Sequence, residues 1–146
     1  MFLRTPSPNE ANSALYSRDV ADDGYVANLT RLWAWRPDVF DGFVSLRKLL
    51  TEQAALSLRE RSILVCATAA NLGDSYCALA WGTTLASESN PTAAAAVLQG
   101  KEATDLTARE RALVAWAGQI VREPNATTVG DVDRLRAVGL TDPRNL

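Results

Sequence analysis

Residues 73–82, Gly-Asp-Ser-Tyr-Cys-Ala-Leu-Ala-Trp-Gly, set a carboxylate, a phenol and a thiol within four positions of one another. Gly73 and Asp74 read as the end of one helix and the N-cap of the next, so Cys77 falls at about the third position of its helix. Free N–H groups and the helix dipole favour a thiolate there, the nucleophilic form of cysteine. An ionised Asp74 one turn earlier works against it. Asp74 has two readings, an N-cap or a buried carboxylate of raised pKa facing Cys77 or a ligand. Tyr76 could add a phenol to the same pocket or serve as half-buried packing. Cys77 itself is either a reactive thiol or a small buried residue.

The rest of the composition narrows the chemistry. The 146 residues contain no histidine. That excludes a histidine general base, a Ser-His-Asp triad, a Cys-His pair and imidazole metal sites. Two cysteines are too few for a thiolate zinc site, and no metal or cofactor is expected. Cys66, inside Ile-Leu-Val-Cys-Ala-Thr-Ala-Ala, reads as core packing, and a disulfide to Cys77 is disfavoured in a reducing compartment. A net charge of −2 without a basic patch argues against nucleic acid or an anionic membrane as partner. The longest apolar stretch, Ile63 to Ala70, is far too short to span a bilayer. The N-terminus lacks the apolar centre of a signal peptide, so a cytoplasmic location is expected.

The elements that would position these groups are helical throughout, and length and composition fit one domain over 1–146. A weak helix is predicted over 9–20, broken at Gly24. Residues 25–35 place Val26, Leu29, Leu32 and Trp33 at helical spacing, and Pro37 suits the first turn of a helix over 37–52. That helix carries a broad apolar face of Phe40, Phe43, Val44, Leu46, Leu49 and Leu50. Ser57-Leu58-Arg59-Glu60 is a capping box opening a helix over about 58–71, and Asp74 opens another over about 75–87. Asn90-Pro91 starts a short alanine-rich helix ending at Gly100. The box then returns fifty residues on: Leu106-Thr107-Ala108-Arg109-Glu110-Arg111 matches Leu56-Ser57-Leu58-Arg59-Glu60-Arg61. This suggests an internal duplication of a helix pair, the alternative being two helices with the same N-terminal chemistry. Glu60 has a capping role in this reading, with proton transfer near Cys77 as its functional alternative. A last helix is predicted over about 128–138, ending at Gly139. Thr141-Asp142-Pro143 spells one more helix start, from which the sequence is expected to be cut short.

Residues 56–82 resemble the carboxymuconolactone decarboxylase / AhpD-like superfamily of alkylhydroperoxidase-type, peroxidase-related proteins. There a Leu-Ser-x-Arg-Glu-Arg-Glu run opens one helix, a Cys-x-Tyr-Cys motif opens the next, and a histidine follows four residues later. Here the same spacing reads Leu56-Ser57-Leu58-Arg59-Glu60-Arg61-Ser62, then Asp74-Ser75-Tyr76-Cys77, then Trp81. The likeness extends over most of 30–142. Carried over by position, the family's glutamate falls on Ser62, its first cysteine on Asp74, its second on Cys77 and its histidine on Trp81. Only Cys77 is kept, so the motif is degenerate.

The resemblance implies an all-α, AhpD-like helical bundle and a homo-oligomer, a trimer or hexamer. It implies a peroxidase-related thiol protein of antioxidant defence, with peroxiredoxin-like oxidoreductase activity at Cys77 and an external thiol reductant. Asp74, Glu60 and Tyr76 would assist at the site, with Trp81 and Ser62 lining its pocket. Two other readings stand beside it. One is a non-redox, decarboxylase-like enzyme using Asp74, Glu60 and Tyr76 for acid–base work on a small organic acid. The other is a catalytically degenerate structural or binding subunit.

Overall fold

The computed structural model describes residues 4–52 and 56–140 of the chain. They are helical, with no strand among the described residues: α1 (Glu10–Asp23), α2 (Asn28–Trp33), α3 (Pro37–Glu52), α4 (Leu58–Leu72), α5 (Ser75–Glu88), α6 (Pro91–Leu98), α7 (Ala108–Arg122) and α8 (Val129–Ala137), with a 3₁₀ turn at Pro124–Ala126. The helix start at Thr141-Asp142-Pro143 lies outside the described residues. The chain divides between residues 53 and 54 into two compact units.

In the first unit, Asn9 and Asn12 cap α1 reciprocally, each backbone N–H bonded to the other's side chain at 2.9 Å. Gly24 ends the helix with φ +79°, a left-handed conformation that glycine adopts without strain. The helix predicted over 25–35 is shorter, Asn28–Trp33. Its start is set back because Asp19 Oδ2 accepts the Ala27 N–H at 3.0 Å and holds that residue extended. Trp33 stacks on Phe43 and tilts against Phe40, ring centroids 5.5 Å apart in both cases. The Arg18 guanidinium lies 5.6 Å from the Phe40 centroid. The α3 helix forms as its sequence predicts, yet it has no buried residue. Leu46, Leu49 and Leu50 are 56%, 58% and 65% exposed, and Val39 and Phe43 more than two-fifths so.

The second unit is organised around α4 and α7, whose bounds differ by fifty residues at both ends. Each opens on a full capping box, Ser57 with Glu60 and Thr107 with Glu110. The arginine of each box then crosses to the glutamate of the other. Arg59 Nε donates to Glu110 Oε1 at 2.5 Å, and Arg109 Nε donates to Glu60 Oε1 at 2.6 Å. Each also donates to the carbonyl ending the helix that follows it: Arg59 to Glu88 O at 3.2 Å, Arg109 to Val138 O at 3.4 Å. Glu88 and Val138 are again fifty positions apart. The duplication seen in the sequence is thus a pairwise exchange of contacts relating α4–α5 to α7–α8. Below it lies the core, where Ile63 and Ala67 of α4 have Leu113 and Ala117 as their α7 counterparts, packed with Cys66, Leu85, Val97 and Leu106.

Burial is the largest influence on Glu60 and Glu110 and pushes both carboxyls up. The arginine and capping hydrogen bonds outweigh it, so both sit below the ordinary glutamate value of 4.5. A carboxylate depressed in the fold adds stability above its unfolded pKa and loses it as pH falls. The chain is therefore expected to lose stability below about pH 4.5, and Glu60→Gln with Glu110→Gln is expected to flatten that loss. Glu110→Gln alone, at pH 7, is expected to cost about 2 kcal/mol in urea unfolding, because hydrogen bonds to charged groups are worth roughly 1.5–3 kcal/mol. An unchanged acid limb in the double variant would show that the exchange does not set the pH dependence.

Candidate functional site

The site is built at the α4–α5 corner. Gly73, at φ +69°, turns the chain out of α4, and the Gly73 and Asp74 N–H groups both donate to Ala69 O. The next residue is then placed as an N-cap. Asp74 Oδ1 accepts the N–H groups of Tyr76 at 3.0 Å and Cys77 at 3.1 Å. The Cys77 thiol stands near enough to the same carboxylate for each group to shift the other's protonation.

This geometry decides between the two opposing influences on the thiol. The hydrogen bond to Asp74, then desolvation, then the carboxylate's charge raise the Cys77 pKa above its ordinary value. The same contacts work in reverse on Asp74. The Cys77 backbone N–H first, then its thiol, hold the carboxyl below its ordinary value against slight desolvation. The resting pair at neutral pH is a protonated thiol beside an ionised carboxylate. The helix start does not yield a resting thiolate, because the N–H groups that would have stabilised one are spent on Asp74. Asp74 is a capping carboxylate of lowered pKa rather than a buried one of raised pKa.

The other candidates disperse. Tyr76 lies beside the pair in sequence and is 46% exposed, as are its neighbours Leu72 and Leu79 to a greater degree. Cys77 is half-buried, while Cys66 is fully buried, its thiol pushed up by desolvation to about 11; both are free. Glu60 has one carboxylate oxygen on Arg109 and the other on the Ser57 N–H at 2.8 Å. Ser62 is fully buried and donates its hydroxyl to Leu58 O at 2.8 Å. Trp81 packs against the core cluster.

An open apolar groove runs beside the site between α5 and α6, with Ala78, Leu79, Gly82, Ala86, Ala94 and Leu98 among its walls. It takes in neither Trp81 nor Ser62. Gly82 is what brings α6 close: a Cβ there would stand 2.9 Å from Leu98 Cδ1. The signal for this groove was present in the sequence as small residues at 78, 82 and 86, one per turn of α5. No group of three or more potential metal ligands occurs among the described residues. None of the helices described is long and apolar enough to cross a membrane.

No protein-family model and no curated protein matches the sequence. Solved structures do match the fold, among them two crystal structures. One is the alkylhydroperoxidase AhpD core of an uncharacterized peroxidase-related protein from Ralstonia eutropha JMP134. It is 26% identical, with a TM-score of 0.82 over 98% of this chain and 78% of that one. The other is an uncharacterized peroxidase-related protein from Silicibacter sp. TM1040. It is 19% identical, with a TM-score of 0.86 over 97% of this chain and 76% of that one. Both likenesses show the fold, and the 26%-identical one supports the AhpD-like superfamily for this chain.

Proposed function

We propose that this chain is a single-cysteine, peroxidase-related thiol protein of antioxidant defence in the cytoplasm, in which Cys77 reduces a hydroperoxide and Asp74 handles the proton. The observation that carries this reading is a free, half-buried thiol at the start of α5 beside the capping carboxylate of Asp74, which accepts the Cys77 N–H at 3.1 Å. Cys77 sulfur attacks the terminal oxygen of ROOH and the O–O bond breaks. The thiol proton passes by way of Asp74 to the departing alkoxide, which leaves as ROH. Sulfur is oxidised to the sulfenic acid and the peroxide is reduced. An external dithiol then restores Cys77, giving its own disulfide and one water. With aspartate in the position of a first cysteine, no partner within the motif can form a disulfide with Cys77. Asp74 thus acts as a general base during the step rather than by holding a thiolate at rest.

The same raised thiol pKa favours one second reading, a catalytically silent binding subunit. Acid–base work of the decarboxylase kind has less support, since Asp74 and Glu60 are both held ionised. In either case we propose a homo-oligomer, a trimer or hexamer, with the exposed α3 face as its contact. Covering that face removes long apolar side chains from water, each worth about 1.5–3 kcal/mol when fully buried.

In a Cys66→Ala background, Cys77 alkylation is expected to have its pH midpoint above that of an ordinary thiol. Asp74→Asn is expected to move the midpoint down and to raise the alkylation rate at pH 7 severalfold. Organic hydroperoxide consumption with a dithiol is expected to vanish in Cys77→Ser and to fall in Asp74→Asn despite its more acidic thiol. Consumption that survives Cys77→Ser rejects the peroxidase reading. No consumption at all with an intact, alkylatable Cys77 leaves the silent subunit. For the assembly, Leu46→Glu with Leu50→Glu is expected to lower the mass seen in sedimentation equilibrium to that of one chain; an unchanged mass would place the contact elsewhere.

A further inference from the structure

The second helix pair carries a groove that the thiol chemistry does not use. It lies between α7 and α8, holds about 290 Å³, and has Ala112, Trp116, Gln119, Arg122, Arg134 and Leu135 on its walls. Positions 112, 116 and 119 of α7 follow one another at helical spacing, and Arg122 completes the same stripe. The groove therefore has an apolar body, an aromatic wall and guanidinium groups at its rim.

Arg122 is the decisive residue, because it is held in place although it is exposed. Asn71 of α4 donates its amide to Ala67 O at 2.8 Å, which fixes the amide and turns its oxygen outward. That oxygen accepts from Arg122 Nη1 at 2.7 Å. On the other side the guanidinium lies against Gly118: a Cβ there would meet Nη1, Nη2 and Cζ at 3.1, 3.2 and 3.4 Å. An exposed arginine ordinarily loses rotamer freedom when it is captured. Here Asn71 and Gly118 have already ordered it. Among the described residues, Arg122 meets no carboxylate. Arg134 is different: it pairs with Asp131, its i−3 neighbour on α8, which also caps that helix through Thr128, so the two charges cancel on the α8 wall. The net charge facing a ligand is that of Arg122.

We propose that the α7–α8 groove binds a small planar carboxylate, a one-ring aromatic acid, with its carboxylate on Arg122 and its ring against Trp116. A planar guanidinium matches a carboxylate with two parallel N–H bonds, and the indole and Ala112 and Leu135 suit a flat apolar body. Gln119, on the same wall, supplies a further donor at the rim. The volume lies near the lower end for small-molecule sites, which limits the ligand to about one ring. This inference does not depend on the reactivity of Cys77.

The test is calorimetric titration of the full chain with sodium benzoate, with benzamide as the uncharged analogue of the same shape. One saturable benzoate site is expected, with benzamide at least tenfold weaker. Arg122→Ala is expected to weaken benzoate at least tenfold, as the loss of charged hydrogen bonds requires. Asn71→Ala is expected to weaken it severalfold by releasing the guanidinium. Should Arg122→Ala fail to fold, Arg122→Gln carries the same expectation, and Trp116→Phe is expected to weaken benzoate while preserving its preference over benzamide. The proposal is overturned by the absence of a saturable site, by benzamide binding as tightly as benzoate, or by benzoate affinity unchanged in the Arg122 variants.

Discussion

The second half of this protein depends on one reciprocal contact: two arginines and two glutamates exchanged between the starts of α4 and α7. Each glutamate closes its own capping box and receives the other helix's arginine, and each arginine also holds the end of the helix after its own. Four orphan helix ends are tied by four side chains. The arrangement accounts for the burial of Glu110, which is 5% exposed and would be costly without a partner. It also sets the register in which Ile63 and Ala67 of α4 join Leu113 and Ala117 of α7 in one core cluster, since slipping either helix would break both ion pairs at once.

From that frame the two copies diverge. In the first, the helix that follows the box ends at a tight glycine turn, and the next begins with Asp74 holding the backbone N–H groups of Tyr76 and Cys77. In the second, a 3₁₀ turn intervenes, and the space between the helices opens as a groove beside Trp116. Trp116 stands fifty positions after Cys66, so a buried small thiol in one copy corresponds to a groove wall in the other. A shared backbone scheme thus presents a proton-holding thiol at one corner and a preordered arginine at the other.

The aspartate in place of a first cysteine changes the character of the site more than the loss of a residue would. A carboxylate at the N-cap satisfies the Tyr76 and Cys77 N–H groups better than a thiol could, and it is stabilised by doing so. The proton is thereby driven onto sulfur. Trp81, packed on the core, cannot accept that proton, since indole only donates. In the reaction proposed above, proton management would rest with the carboxylate alone, unlike a two-cysteine relay.

By itself the sequence determined the helices of the second half, their caps and their repeat. Those features are local: a capping box, a left-handed glycine or a proline at a first turn acts within four residues of itself, so Ser57, Gly73, Asp74, Asn90 and Thr107 could be placed by type and spacing. The position of Cys77 at a helix start was legible for the same reason. Tertiary structure decided everything that needed a partner distant in the chain. It shortened α2 through Asp19, left α3 without a buried residue, and showed that Glu60 and Ser62 belong to the frame and the core. It also chose between two opposing fields on one sulfur, because whether a dipole or a carboxylate wins depends on which atoms the N–H groups reach. Spacing names the competitors; only the distances decide the outcome.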